Sequence, residues 1–331
     1  MPLLSFFHEM FQQMRESVGF RLGQWLRRPT RHKLESVQFH LLRQVEKGAE
    51  LLMRVAEHMN SETLRRARFE ALALRSDVAL ADRTEKYLVF TSDKNISKTV
   101  FVTGSFEFEK LELALHLLGD KFALETLVDV GANIGTICIP AVSRGLARRA
   151  IAIEPEPNNF RLLEINVRLN DLSDRITLHN VALGPTAGQV LQMELSMDNS
   201  GDHRIRDATD DGSYDEAARR VIDVRSETLD AVVGSLSGTS TLAWMDTQGY
   251  EGQVLLGAQK LVAARIPLVL EFWPYGMNRT RSYAGLRAAA MCYESYYDLS
   301  DPGNALRPTS DLDALFATLD RTGGYTDILL I

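Results

Sequence analysis

Cysteine is nearly missing from this chain: Cys138 and Cys292 are the only two among 331 residues. Each lies in an apolar stretch, so both read as reduced core thiols, and a secreted scaffold held by disulfides is excluded. Long apolar runs are missing too. No stretch reaches the ~18 consecutive apolar residues that a bilayer-spanning helix needs. The apolar opening Met1–Met10 has no basic residues ahead of it and no small-residue cleavage site behind it, so no signal peptide and a cytoplasmic address are expected. Positive charge is short: 37 Lys and Arg face 44 Asp and Glu, for a net charge of −7. That balance speaks against bulk binding to a polyphosphate, and nucleic acid is not an expected partner. His and Cys never cluster at zinc spacing.

The charge that is present is unevenly spread. Residues 1–76 hold 13 basic and 8 acidic residues, a net of +5, which leaves −12 for the remainder. Between Pro29 and Asp77 there is no proline and one glycine, Gly48, while Leu34, Val37, Leu41, Val45, Leu52, Val55 and Met59 recur at mostly helical spacing. The spacing predicts one or two long amphipathic helices over residues 1–80. Two readings stand: an appendage packed on its own domain or on a second subunit of a homodimer, or a helix lying on a membrane surface. Phe6, Phe7, Phe11, Phe20 and Trp25 beside Arg15, Arg21, Arg27 and Arg28 keep the second open.

From about residue 81 to 331 the texture changes to short β-rich runs separated by helical stretches, the pattern of a mostly parallel sheet covered on both faces. Tyr87-Leu-Val-Phe-Thr and Lys98-Thr-Val-Phe-Val read as paired strands, followed by a helix over Phe108–Leu118. Thr126-Leu-Val-Asp-Val, Ala150-Ile-Ala-Ile-Glu, Ile176-Thr-Leu-His-Asn, Thr241-Leu-Ala-Trp-Met-Asp and Pro267-Leu-Val-Leu-Glu-Phe supply five candidate parallel strands. Several end in a polar or acidic residue. Ligands of open α/β sheets bind beyond the carboxyl ends of strands, so those endings point to one cleft.

The strongest local signal is Val128-Asp129-Val130-Gly131-Ala132-Asn133-Ile134-Gly135-Thr136, a buried strand running through a tight turn into a helix. Gly131 and Gly135 let backbone approach a ligand closely, and Asn133 is a residue type that tolerates a left-handed backbone. Nineteen residues past Gly135, Glu154 ends the next strand and offers a carboxylate to two ribose hydroxyls. A dinucleotide site wants Gly-x-Gly-x-x-Gly to meet a pyrophosphate; this loop departs from it at the second glycine and at the spacing of the third. A nucleoside-containing ligand without a pyrophosphate fits better than NAD.

Six segments in order carry a family resemblance: Val128-Asp-Val-Gly-Ala-Asn-Ile-Gly, Ile153-Glu-Pro-Glu-Pro-Asn, Asn180-Val-Ala-Leu-Gly, Asn199-Ser-Gly-Asp-His-Arg, Met245-Asp-Thr-Gln-Gly-Tyr-Glu-Gly and Val269-Leu-Glu-Phe. Over Tyr87–Tyr275 the chain resembles the FkbM-type methyltransferases, which share the Class I S-adenosylmethionine-dependent fold. The resemblance implies a doubly wound, Rossmann-like α/β domain with a seven-stranded, mostly parallel sheet. It implies S-adenosyl-L-methionine as cofactor, with Asp129, Gly131, Asn133 and Gly135 at its methionine part and Glu154 at its ribose. Asn180 and Val181 would then flank the adenine. The acceptor implied is a hydroxyl on a sugar, glycan or secondary metabolite.

A hydroxyl must lose a proton as it attacks, which calls for a base or a metal within reach. Asp246 at a strand end is the first candidate, with Glu271 at the end of the next strand, His203 in a polar loop, and Glu251 in the first turn of a helix. Asp246 also reads as a helix cap, and Glu251 equally as a complement to a helix dipole. Asp246, Glu271 and Asp202 could offer oxygens to magnesium or calcium, but three carboxylates scattered along a chain are weak evidence, and no obligatory metal is expected. The acidic stretch Asp207–Glu216 reads as a solvated insertion or a flap over the acceptor. Other readings are a nitrogen- or macromolecule-directed methyltransferase, an NAD-linked oxidoreductase, and a scaffold that keeps a silent cofactor site.

Overall fold

In this computed structural model the described residues are 43–44, 47–48, 62–207, 212–234 and 236–331. The helices expected before residue 62 and the middle of the acidic stretch lie outside them. By Cα proximity the chain divides into Met1–Leu64 and Arg65–Ile331, and the second unit holds the sheets and the site.

Helix α1 (Glu62–Ala73) leads into a hairpin of β1 (Val78–Asp82) and β2 (Lys86–Phe90), then α2 (Ile96–Thr103) and α3 (Phe108–Leu118). Next come β3 (Thr126–Val130), α4 (Cys138–Ser143), β4 (Arg149–Ile153), α5 (Pro157–Leu169) and β5 (Ile176–His179). A smaller sheet follows, from β6 (Ala182–Leu183), β7 (Val190–Leu195), β8 (Arg204–Ile205) and β9 (Arg220–Glu227). After α6 (Leu229–Val233) the chain returns as β10 (Thr241–Met245), α7 (Glu251–Leu256), α8 (Gln259–Ala263) and β11 (Leu268–Phe272). It closes with α9 (Pro274–Arg279), α10 (Tyr283–Ala290), β12 (Ser295–Asp298), β13 (Leu306–Pro308), α11 (Leu312–Thr322) and β14 (Thr326–Leu330).

The main sheet has the order β13-β12-β14-β11-β10-β3-β4-β5, and β5, β4, β3, β10 and β11 are mutually parallel. All five were legible as apolar runs, because strands covered on both faces have no polar side to interrupt them: every residue of β3 and β10 is buried. The doubly wound expectation holds with one correction, eight strands rather than seven. The extra strand is β13, three residues on the sheet edge ending in Pro308, too short and too exposed to leave a periodic signal.

Two local expectations fail. Lys98–Val102 is not a strand; it lies in α2, and the partner of β2 is β1. The β-branched residues suggested a strand, but chain-end chemistry decided for a helix. Asp93 accepts the N–H groups of Asn95 at 2.9 Å and Ser97 at 3.0 Å, and Gly104, at φ +93°, closes the far end by donating to Val100 O. Burial of Val100 and Val102 offsets their weak helix preference. Cys138 is a buried free thiol as expected, whereas the free thiol Cys292 is exposed just past the end of α10. Among the described residues no helix is long and apolar enough to cross a membrane.

Candidate active site

Strand order reverses between β3 and β10, so the loops after these two neighbours leave in opposite directions and open a crevice at their carboxyl ends. Gly131 sits at that point. Its N–H and that of Ala132 donate to Ile153 O, while Asp246 N–H donates to Val130 O at 2.9 Å. At φ +84° a Cβ on Gly131 would lie 1.9 Å from Asp246 O, so any side chain here would push the two strand ends apart. Asn133 does take the left-handed backbone, at φ +50°. Gly135 plays another part: it is set behind the cavity, where a Cβ would fall 2.5 Å from Ile139 Cδ1, and it seats the loop against α4.

The crevice at this point takes in about 880 Å³, counted out into the open solvent at its mouth, and is lined by Asp129, Gly131, Asn133, Glu154, Val181 and Asp246, among others. Glu154, 4% exposed, accepts Asn133 N–H at 2.9 Å on one oxygen and Glu156 N–H at 2.8 Å on the other. Burial outweighs both donors and pushes its carboxyl up to about 8. Asp129 accepts Cys138 N–H at 3.1 Å at the start of α4, and burial pushes it up to about 6. Asn180 does not line the cavity. Its amide donates to Glu154 O at 2.8 Å and Pro155 O at 3.2 Å, fixing the turn that carries the carboxylate.

A loop from the small sheet closes the cavity. Asn133 and Asn159 both donate to Ser200 O at 3.0 Å, and Ser200 Oγ donates to Asp93 Oδ2 at 2.5 Å. The Oδ1 atoms of Asn133 and Asn159 are buried and find no hydrogen-bond partner among the described residues. His203 lines the cavity, and its Nδ1 accepts Ser196 N–H at 3.1 Å, leaving Nε2 to carry the proton of the neutral ring. Burial holds its pKa below the usual value. In this tautomer His203 is a donor, not a proton acceptor.

A second cavity, also about 880 Å³ with the open solvent at its mouth, adjoins the first and shares Ile96, Phe106, Glu107, Gly201, Asp246 and Gln248 with it. Asp246 and Glu271, far apart in sequence, meet here: with Glu251 they bring one oxygen each within 4.8 Å of one another. Gln248 Nε2 bridges two of them, donating to Asp246 Oδ1 at 2.7 Å and to Glu271 Oε2 at 3.1 Å. Glu251 Oε1 accepts Thr247 N–H at 2.8 Å, Thr247 Oγ1–H at 2.9 Å and Gly249 N–H at 3.2 Å, which shapes the turn, while its Oε2 is buried with no hydrogen-bond partner among the described residues. Asp246 and Glu271 keep some surface in the cavity but are ringed by protein. That burial pushes Asp246 up to about 7 and Glu271 well above the usual carboxylate range, with mutual repulsion adding to the burial of Glu271.

Asp202 is not part of this group. Arg204 and Arg219 hold it, and Arg204, 4% exposed, also donates to Glu216 Oε1 at 3.0 Å. The Arg204 guanidinium lies 4.6 Å from the ring centre of Trp273 and 5.0 Å from that of Tyr214. Residues Gly212–Arg219 are thereby docked onto the cavity wall, with Tyr275 OH donating to Glu216 Oε1 at 2.6 Å. Sequence reasoning missed Glu107, Lys110, Trp273, Tyr325 and Asp327, which line the same cavity from three separate segments. No spacing in the chain relates them; only the return of β14 beside β11 does.

Residues 129–289 match the family described as Methyltransferase FkbM domain. Among curated proteins the chain is 39% identical over 77 residues to a tRNA (guanine(37)-N(1))-methyltransferase of Danio rerio, covering 23% of this chain and 14% of that protein. It is 28% identical over 153 residues to a tRNA(Phe) (4-demethylwyosine(37)-C(7)) aminocarboxypropyltransferase of Pyrococcus horikoshii, covering 46% and 49%. The chain thus spans half or less of the length of these relatives. Among solved structures it is similar to methyltransferase FkbM from Methylobacillus flagellatus, at 18% identity and TM-score 0.38 over 80% of this chain and 58% of that one. It is also similar to geranyl diphosphate C-methyltransferase from Streptomyces coelicolor, at 13% identity and TM-score 0.38 over 80% and 96%.

Proposed function

We propose that this chain, which belongs to the FkbM-type methyltransferase family, transfers a methyl group from S-adenosylmethionine to a hydroxyl of a neutral polyhydroxyl acceptor, a sugar, glycan or secondary metabolite. One observation carries the reading: the crevice at the strand reversal, with Glu154 on one side of Gly131, opens at Asp246 into a second cavity that holds a carboxylate pair. The first cavity suits the cofactor. Backbone is exposed where Gly131 admits no side chain, and Glu154 is a buried carboxylate that further hydroxyl donors would stabilise in its charged form. Bound there, S-adenosylmethionine supplies a methyl carbon already activated by a sulfonium.

The protein's share is alignment and a place for the proton. Asp246 lies between the two cavities and takes the proton that the acceptor hydroxyl gives up as its oxygen bonds to the methyl carbon, while the sulfur keeps the electron pair of the broken bond. Glu271 and Glu107 offer further acceptors to the other hydroxyls, and Trp273 and Tyr214 add aromatic side chains to the lining, against which the apolar side of a ring would pack. The cations here are committed: Lys110 is paired with Glu107 at 2.7 Å and Asp327 at 2.6 Å, and Arg204 with Asp202 and Glu216. Among the described residues that line this cavity no cation is left unpaired to meet a phosphate, which favours an uncharged acceptor over RNA or a diphosphate.

The test is methyl transfer from labelled S-adenosylmethionine to neutral glycosides, amines, tRNA and prenyl diphosphates. Label on a hydroxyl of a neutral acceptor is the expected result. Transfer to tRNA alone would replace the acceptor reading and leave the cofactor reading standing.

A further inference from the structure

The turn Asp246-Thr-Gln-Gly-Tyr-Glu is built with more constraint than a strand-to-helix link requires. Gln248 holds a left-handed backbone at φ +55°, unfavourable for a residue with a side chain, and Gly249 follows at φ +94°. A Cβ on Gly249 would lie 2.4 Å from Gly276 C. Its carbonyl accepts Thr280 Oγ1–H at 2.5 Å and Ser282 Oγ–H at 2.6 Å, and Glu251 holds the N–H groups of Thr247 and Gly249. Strain of this kind persists only where the surroundings over-determine it. Its outcome here is the position of one amide nitrogen between two carboxylates.

We infer that Gln248 is the positioning residue of the acceptor side: its amide, set between Asp246 and Glu271 where a cation would otherwise sit, keeps Asp246 charged to accept the hydroxyl proton and leaves the pair's own proton on Glu271. The inference rests on the proposed function for the proton's origin, but the ordering of the two carboxylates stands on geometry alone. Two carboxylates this close cannot both ionise freely, so one proton stays with the pair. The donor is nearer to Asp246, at 2.7 Å against 3.1 Å, and a donated hydrogen bond favours the charged form of its acceptor. The other charged groups facing the pair do not reverse this. Glu251 of α7, Glu107 before α3 and Asp327 of β14 repel both carboxylates. Lys110 of α3 is engaged by Glu107 and Asp327, and no ion pair among the described residues reaches Asp246, Glu251 or Glu271.

The deciding experiment follows the carboxyl carbons of Asp246 and Glu271 by NMR titration, with signals assigned through Asp246→Asn and Glu271→Gln, in the wild type and in Gln248→Met. The expected result is that Asp246 ionises first, and that in the variant its step moves to higher pH by roughly one unit, since a donor is lost. Glu271 ionising first, or a step that does not move, would overturn the inference whatever the acceptor proves to be. Gln248→Gly guards against a folding failure. It relieves the left-handed strain, so it should melt no lower than the wild type while showing the same displaced titration. Mn²⁺ provides the second arm: saturable binding to the wild type at the pair, with the Gln248 amide displaced, would also overturn it. Where turnover is measurable, the acid limb of kcat/KM should move with the titration while affinity for S-adenosylmethionine stays within about 3-fold.

Discussion

The two halves of the crevice are put together differently. The half proposed for the cofactor comes chiefly from two stretches, residues 129–136 and 153–156, joined by one βαβ crossover, and its two carboxylates, Asp129 and Glu154, are held by backbone N–H groups of that same crossover and the turn after it. The acceptor half collects Glu107, Asp246, Glu271, Trp273 and Asp327 from segments more than two hundred residues apart at the extremes. Local loops can be read as motifs because backbone conformation dictates them. A pocket gathered by sheet order cannot, and it is also where a family of enzymes can vary its substrate without disturbing its cofactor.

This comparison predicts that variants of the first half lose binding and variants of the second lose turnover. The largest effect falls on Gly131→Val. A side chain aimed at Asp246 O, 1.9 Å from its Cβ, separates β3 from β10, and saturable cofactor binding in calorimetry should vanish. Next is Asp246→Asn, which should lower kcat by roughly 10²–10⁴-fold, the usual worth of a general base. Affinity for S-adenosylmethionine should stay nearly unchanged, and a parallel loss of binding would erase the division between the halves. Tyr214→Ala should raise the acceptor KM by about 3–10-fold with kcat little altered, as expected for one aromatic face.

The smallest effect is in protons. Burial raises the Glu154 carboxyl to about 8, above the usual 4.5. Below pH 8 it is therefore largely protonated, and ribose hydroxyls that donate to its charged form pull the pKa down. Binding at pH 7 should then release up to one proton, falling toward none above about pH 9. Calorimetry in buffers of different ionisation heat reads this directly, and proton uptake instead would contradict the placement of the ribose.

The same contrast explains what the sequence made legible. The parallel strands, the left-handed Asn133 and the Glu154 carboxylate follow from apolar runs and turn chemistry within thirty or so residues. Asp246 and Glu271 were legible as polar strand ends, but not that Glu251 stands beside them and that Asp202 is drawn away by Arg204 and Arg219. The proton-bearing nitrogen of His203 depends on Ser196 N–H, a loop contact with no sequence signal. Lys98–Val102 shows the opposite hazard: β-branched residues pointed to a strand, while a buried Asp93 and a left-handed Gly104 had already set the ends of a helix.

The central claim is that the Gly131 crevice takes S-adenosylmethionine with Glu154 at its ribose. Titration calorimetry with S-adenosylmethionine and with NAD, on the wild type and on Glu154→Ala, tests it most directly. Saturable binding of S-adenosylmethionine, none of NAD, and a loss of about 10–100-fold in the variant are expected, the worth of one or two hydrogen bonds to a charged group. Preference for NAD, or an affinity that Glu154→Ala leaves untouched, would contradict it.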